Sequence, residues 1–261
     1  MDAGRVLSEA IARGAPFRVI RLAPGAVAVG ASFGGCVASE CRNNAWWCHA
    51  VCASDGIHGH FGQLLWSSPT RTPPLYPDAI TLTPRVSAAH VAAAIDRTRL
   101  GYSVKDSFAD LDLTAYGLVP LFGASWISLE RAARPPSATR FAHWRTITSE
   151  ADLDRWIIAW GDSATYRFSP SLLADARVRF LAGDRDGEFV AGAIAFDSAG
   201  VVGISNLFGP PGCLPDVWSD VVHLVRDTTD VPVVGYERGT PLEAAQAVGF
   251  RNVGQLTVWG S

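Results

Sequence analysis

The sequence predicts an α/β (α+β) fold built from two tandem halves, each a mixed, mostly antiparallel sheet flanked by helices. Three observations carry this. A strand, a capped helix, a stop glycine and an aromatic last strand occur twice at a near-constant offset. In the second half, three strands with short turn-rich links precede a helix, a strand, a helix and a final strand. Hydrophobic residues make up 48% of the 261 and charged ones 18%, which suits a large core and excludes a disordered chain.

The repeat is read first, because missing it misassigns the fold. The second half closes on Val231-Pro232-Val233-Val234-Gly235-Tyr236-Glu237-Arg238-Gly239 and then Thr240-Pro241-Leu242-Glu243. Thr240 reads as an N-cap, Pro241 as the first helical residue and Glu243 as the capping-box partner. Gly249 stops the helix, Phe250 follows, and Gln255 to Trp259 reads as a strand. The first half closes alike: a strand over Tyr102 to Asp106, Ser107 and Asp110 at the cap spacing, Leu111 and Leu113 in a short helix, Gly117 as its stop, and a strand from Phe122 to Leu129. The offsets are 133 from Ser107 to Thr240, 132 from Gly117 to Gly249 and 133 from Trp126 to Trp259. Pro135 and Pro136 interrupt the pattern, which places domains at 1–134 and 139–261.

In the second half Ser149 caps a helix whose Leu153, Trp156, Ile157 and Trp160 share one face. Ser169-Pro170 opens a short helix. Strands follow at Val178–Ala182, Glu188–Phe196 and Val201–Phe208, joined by Asp184–Gly187 and Asp197–Gly200. Such links predict an antiparallel meander. The loop Gly209–Pro215 leads to a helix over Asp216–Asp227. The strand Val231–Val234 comes after that helix, so it is expected to run parallel to its predecessor.

A net charge of −3 gives no bulk attraction to nucleic acid or an anionic membrane. Arginine outnumbers lysine 21 to 1, leaving Lys105 as the sole lysine. No charged segment followed by an apolar run opens the chain, and no stretch approaches the 18 or so apolar residues of a membrane span. A cytoplasmic location is the expectation. Cys36, Cys41, Cys48 and Cys52, with His49, His58 and His60 nearby, are zinc-ligand types. Their spacing contains no Cys-x-x-Cys knuckle. The same cysteines also fit a buried helical segment with Trp46 and Trp47, where free cysteine acts as a small hydrophobe. No metal is expected.

The element order over Thr146 to Trp259, with the ending Ala247-Val248-Gly249-Phe250 and Val253-Gly254-Gln255-Leu256, resembles the GCN5-related N-acetyltransferase superfamily. The first half matches in its last 50 residues or so. The resemblance implies transfer of an acyl group from acyl-coenzyme A, held between two splayed parallel strands, to an amine of a small molecule. Its pyrophosphate would rest on the next helix N-terminus. Here that loop, Phe208 to Pro215, carries three prolines, which have no N–H to donate. The first half has Thr83-Pro84-Arg85-Val86-Ser87 there. At the position of the superfamily's general-acid tyrosine stand Ala245 and Leu113. Polar residues at the ends of the splayed strands are then the candidates. Glu237 and Asp106 are candidate catalytic carboxylates, and Ser205, Asn206, Tyr236, Arg238, Lys105 and Ser107 candidate substrate-binding groups. Two alternatives stay open: an aminoacyl-tRNA-dependent transferase, and a binding protein that keeps the fold without the chemistry.

Overall fold

A computed structural model of the chain describes residues 37–98, 101–133, 136–161 and 166–261. Cys36 lies outside them. Within them the chain runs α1 (Val37–Ser54), β1 (His60–Phe61), β2 (Leu65–Ser67), β3 (Ala79–Thr81), α2 (Ala88–Ala93), β4 (Ser103–Asp106), β5 (Val119–Leu129), β6 (His143–Thr146), α3 (Glu150–Trp160), β7 (Val178–Arg185), β8 (Glu188–Ser198), β9 (Val201–Phe208), α4 (Leu214–Arg226), β10 (Val233–Glu237), α5 (Gly239–Ala247) and β11 (Arg251–Gly260). Single 3-10 turns sit at Thr114–Tyr116 and Pro170–Ala174.

These eleven strands join one mixed sheet in the order β1-β2-β3-β4-β11-β5-β10-β9-β8-β7-β6. The separate sheet expected in each half is therefore replaced by one continuous sheet. The junction lies in the middle. β11, last in the chain, pairs antiparallel with β4 (Thr257 opposite Asp106, Gly260 opposite Ser103). β5 pairs antiparallel with β10 (Trp126 opposite Tyr236, Glu237 opposite Ser125). β5 and β11 then pair with each other.

Two parallel pairs flank this centre, β3 with β4 and β10 with β9. The latter is the arrangement expected once a helix separates the two strands. The meander β7-β8-β9 is antiparallel as predicted. Its links turn through Asp186-Gly187 and Ala199-Gly200, all four at positive φ, the geometry of two-residue hairpin turns that follow the strand twist.

Side-chain alternation sends the residues of β8 to opposite faces. Ile194 and Phe196 pack under α1 and α3 with Trp47, Cys48, Val51, Trp156 and Phe180. Ala191, Ala193 and Ala195 pack under α4 and α5 with Val217, Trp218, Val221 and Ala245. Helix α3 forms as read: Ser149 accepts from the Asp152 N–H, and Leu153, Trp156, Ile157 and Trp160 are buried.

Two expected caps differ. α5 starts at Gly239 with Arg238 at the N-cap and no side-chain cap, so Thr240 lies inside the helix. Its end is as predicted: at Gly249 (φ +103) the N–H groups of Gly249 and Phe250 reach the Gln246 and Ala245 carbonyls. After β4 no α-helix forms. The Asp106 carboxylate accepts from the Phe108 and Leu111 N–H groups (3.2 and 2.9 Å) and turns the chain in place of Ser107. The short exposed edge strand β6 has no counterpart among the elements read from the sequence.

Candidate active site

β9 and β10 pair only where Val202 stands opposite Val233 and Gly203 opposite Val234. Gly235 still lies close, since a Cβ there would sit 3.0 Å from the Ile204 carbonyl oxygen. Beyond that point both strands run on without pairing to each other, β9 to Phe208 and β10 to Glu237. A bulge sharpens the separation. The β8–β9 register passes from Ile194–Ser205 to Gly192–Phe208, so Asn206 and Leu207 together face Ala193, and Asn206 has φ +51.

Helix α1 closes one side of this gap. Asn43 donates to the Phe196 and Ser198 carbonyl oxygens (2.9 and 3.2 Å) and clamps the β8–β9 turn. Its Oδ1 occupies the space above Gly203, where a Cβ would come within 1.9 Å of it. Glu40, Asn44 and Trp47 of α1 then meet Ser205, Gly235, Tyr236 and Trp126 around a void of about 10 Å³, room for about one water molecule. The Ser205 hydroxyl is buried here without a hydrogen-bond partner among the described residues.

The structure brings Lys105 and Tyr236 together although three strand spacings part them. Lys105 is 4% exposed. Its Nζ donates to Asn44 Oδ1 (2.7 Å) and stands 4.2 Å from the Tyr236 ring centroid, a cation–π distance. The Tyr236 ring also meets Trp126 edge-on at 5.5 Å. Trp126 in turn donates to the Ser107 carbonyl oxygen (2.8 Å), which ties Ser107 to the same cluster. Asn44 and Glu40 escaped sequence reading, because α1 reaches β9 and β10 only through long-range packing.

Glu237, the last residue of β10, is half-buried and is not among the residues around that void. Burial pushes its carboxyl up to about 8, and the adjacent Arg238 charge pulls it partly back. Arg238 lies over the Phe122 ring (4.8 Å); burial lowers its pKa. Asp106, fully buried, is raised to about 6 by burial, with the Leu111 and Phe108 amides opposing. It serves its own loop. The other parallel pair, β3–β4, is stapled beyond Ile80: the Ser107 N–H donates to Thr81 Oγ1 (2.8 Å).

The cysteines of α1 pack as hydrophobes. Cys41, Cys48 and Cys52 are buried; burial pushes the Cys41 thiol up to about 12 and raises the other two, so they are poor thiolate sources. Among the described residues no three His, Cys, Asp or Glu side chains are grouped to hold a metal. No helix among them is long and apolar enough to cross a membrane.

A pyrophosphate does not fit the start of α4. The four N-terminal amides of a helix are its anion-binding donors. Here the Cys213 N–H is taken by the Pro210 carbonyl oxygen (3.1 Å) and Pro215 has none. Leu214 and Asp216 remain, with the Asp216 carboxylate in the same turn.

No family model and no curated protein matches the chain. Solved structures do. A GCN5-related N-acetyltransferase from Kribbella flavida superposes with a TM-score of 0.58 at 13% identity, over 86% of this chain and 95% of its own. A GNAT-family protein of Novosphingobium aromaticivorans gives 0.53 at 11% identity, over 82% and 96%. A GCN5-related N-acetyltransferase from Sphaerobacter thermophilus gives 0.51 at 12% identity, over 86% and 93%. The fold is therefore that of the GCN5-related N-acetyltransferases, and the likeness runs through both halves of the chain.

Proposed function

We propose that this chain is a cytoplasmic acyltransferase. It moves an acyl group from a thioester or similar activated donor to an amine of a small molecule. Its two halves, 1–134 and 139–261, are degenerate copies of one domain that have exchanged their last strands. The single observation that carries the reading is the unpaired gap between the ends of β9 and β10, with Glu237 the last residue of β10. The exchange is supported by the matched pairings of β11 with β4 and of β5 with β10.

In the reaction, a neutral amine attacks the acyl carbonyl. The C–N bond forms and the bond to the leaving group breaks. The ammonium proton passes to the Glu237 carboxylate, and the leaving group takes a proton from solvent. An unpaired backbone N–H on the edge of β9 or β10 offsets charge on the carbonyl oxygen. Ser205, Asn206, Tyr236, Lys105, Ser107 and Arg238 shape the acceptor and donor sites, and Asp106 is the second carboxylate to test. A second reading, a binding protein without chemistry, is favoured by how little space α1 leaves beneath Ser205 and Tyr236.

Acyl transfer to a panel of primary amines, with acetyl thioester donors, tests the proposal. Glu237→Gln is expected to lower kcat/KM by roughly 10²- to 10⁴-fold, the usual worth of a general base, with its far-UV circular dichroism unchanged. Retention of full activity in that variant would rule Glu237 out as the base, and inactivity of the native chain on every pair would favour the binding reading.

A further inference from the structure

Lys105, the sole lysine of the chain, is a buried cation without a counter-charge. Its partners among the described residues are neutral: Asn44 Oδ1 takes one N–H, and the Tyr236 ring faces the ammonium. No described carboxylate stands within ion-pair distance of it. Buried lysines are otherwise paired, because the cost of taking a charge out of water is offset only against an opposite one. The Ser205 hydroxyl is a second unsatisfied donor, buried with no partner among the described residues. Ser205, Asn44 and Tyr236 line the same small void. One unsatisfied donor therefore borders that space, and the other lies directly behind two of its walls.

We propose, on the acyl-transfer reading, that this void receives one carboxylate oxygen of the acceptor, so that the amine acylated is that of an amino acid or another amino-carboxylate. The oxygen accepts from the Ser205 hydroxyl and lies against the Lys105 ammonium, in the place of one water molecule.

The other groups around the void suit an anion. With its Oδ1 given to Lys105, Asn44 has its amide N–H groups left to offer. Trp47, Trp126 and Phe196 supply apolar walls, and a low local dielectric strengthens a charged contact. Glu40 also lines the void. Burial raises its pKa, which shifts it toward the uncharged form and weakens its repulsion of an anion. Asp106 follows Lys105 in sequence, but its carboxylate is turned to the Phe108 and Leu111 amides. The size selects a carboxylate. A space for about one water admits a single oxygen from a flat group, whereas a phosphate crowds three around one centre.

The experiment pairs glycine, β-alanine and γ-aminobutyrate with their own carboxamides as acceptors for the full chain, with an acetyl thioester donor and equal concentrations of free amine. At the best-fitting length, kcat/KM is expected to favour the acid over its amide by roughly tenfold to a hundredfold, the worth of a charge-assisted hydrogen bond. Lys105→Met is expected to abolish that preference. Ser205→Ala is expected to reduce it about threefold, mainly through KM, and keeps the test decisive if Lys105→Met does not fold. In parallel, the acid is expected to raise the thermal unfolding midpoint of the native chain, the amide to leave it in place, and Lys105→Met to lose the rise. Transfer to acids and amides alike, or a preference that survives both substitutions, overturns the proposal and leaves the transferase reading standing. A loss of rate in both variants that is equal for acids and amides would put the acyl carbonyl oxygen in the void instead and likewise overturn it. If no acceptor is acylated but the acids still raise the midpoint through Lys105, the transferase reading fails and the carboxylate receptor stands. If neither effect is seen, both fail.

Discussion

Glu237 and Lys105 show how much one buried charge decides. The Glu237 carboxyl titrates near 8 in the folded chain against an ordinary 4.5. Between those values the folded state keeps a proton that the unfolded state releases, so stability falls as pH rises through this window. The penalty is absent below 4.5 and complete above 8. Asp106 acts in the same sense, from 3.8 to about 6, and the lowered His49 and raised thiols of α1 also titrate differently in the two states, so Glu237 is read as a difference between native and variant chains. In urea unfolding from about pH 6.5 to 8, the native chain is expected to lose more stability with rising pH than Glu237→Gln does. In the proposed reaction the base form accumulates only as pH approaches 8, and the rate of acyl transfer is expected to rise with it. Lys105 is stabilised differently, by Asn44 and the Tyr236 ring. Asn44→Leu strips its hydrogen-bond acceptor, and an uncompensated buried cation typically costs about 3 kcal/mol or more. Adding Lys105→Met to that variant is expected to recover most of the loss in a denaturation measurement. No recovery would mean that Asn44 acts through something other than the ammonium.

At the scale of elements, α1 is what sets the depth of the gap, and a glycine sets α1. Gly203 leaves room for Asn43, whose amide clamps the β8–β9 turn. Gly203→Ala is expected to destabilise the chain by about 1–3 kcal/mol, the range for overpacking a tight interface. Asn43→Ala removes both the clash and the clamp. The double variant should therefore cost less than the sum of the single ones, as read from thermal unfolding midpoints converted to free energies. Strict additivity would show that the two positions do not meet.

Elements of this kind mark the limit of what was legible in the sequence. Helix α3 and the β7–β9 meander could be read, since capping, a 3.6-residue apolar period and hairpin turns are local signals. The position of α1 could not, because its Asn43 serves a strand turn more than 150 residues away and its Asn44 a lysine 61 residues away. The cap at Thr240 misled because a Thr-Pro pair also fits inside a first turn. Of the candidate site, the strand ends Ser205, Asn206 and Tyr236 to Arg238 follow from element order. The approach of Lys105 to Tyr236 depends on the pairing of β4 with β11 and of β5 with β10, for which no local pattern exists.

For the whole molecule, those central pairings tie the two halves into one folding unit. β5 lies between β11 and β10, and β11 lies between β4 and β5. Cut between 134 and 139, the second half loses the strand that separates β10 from β11. The first half loses the strand that covers β4. Trp126, Trp259, Val104 and Leu256 are all buried across this seam, and freeing so much apolar surface and so many strand-edge groups leaves aggregation-prone edges. Neither 1–134 nor 139–261 is then expected to fold alone. Coexpressed, the fragments should assemble into a stable complex, because every strand regains its neighbours. The intact chain should unfold in a single transition, with tryptophan fluorescence and far-UV circular dichroism superimposing along a urea gradient. Two separated transitions, or a cooperatively folded 139–261 fragment, would show that each half carries a complete sheet of its own and that the exchange of last strands does not govern stability. Because the gap between β9 and β10 has β5 as its neighbour on the β10 side, the fragment experiment also reads the site: acyl-donor binding should appear only when both halves are present.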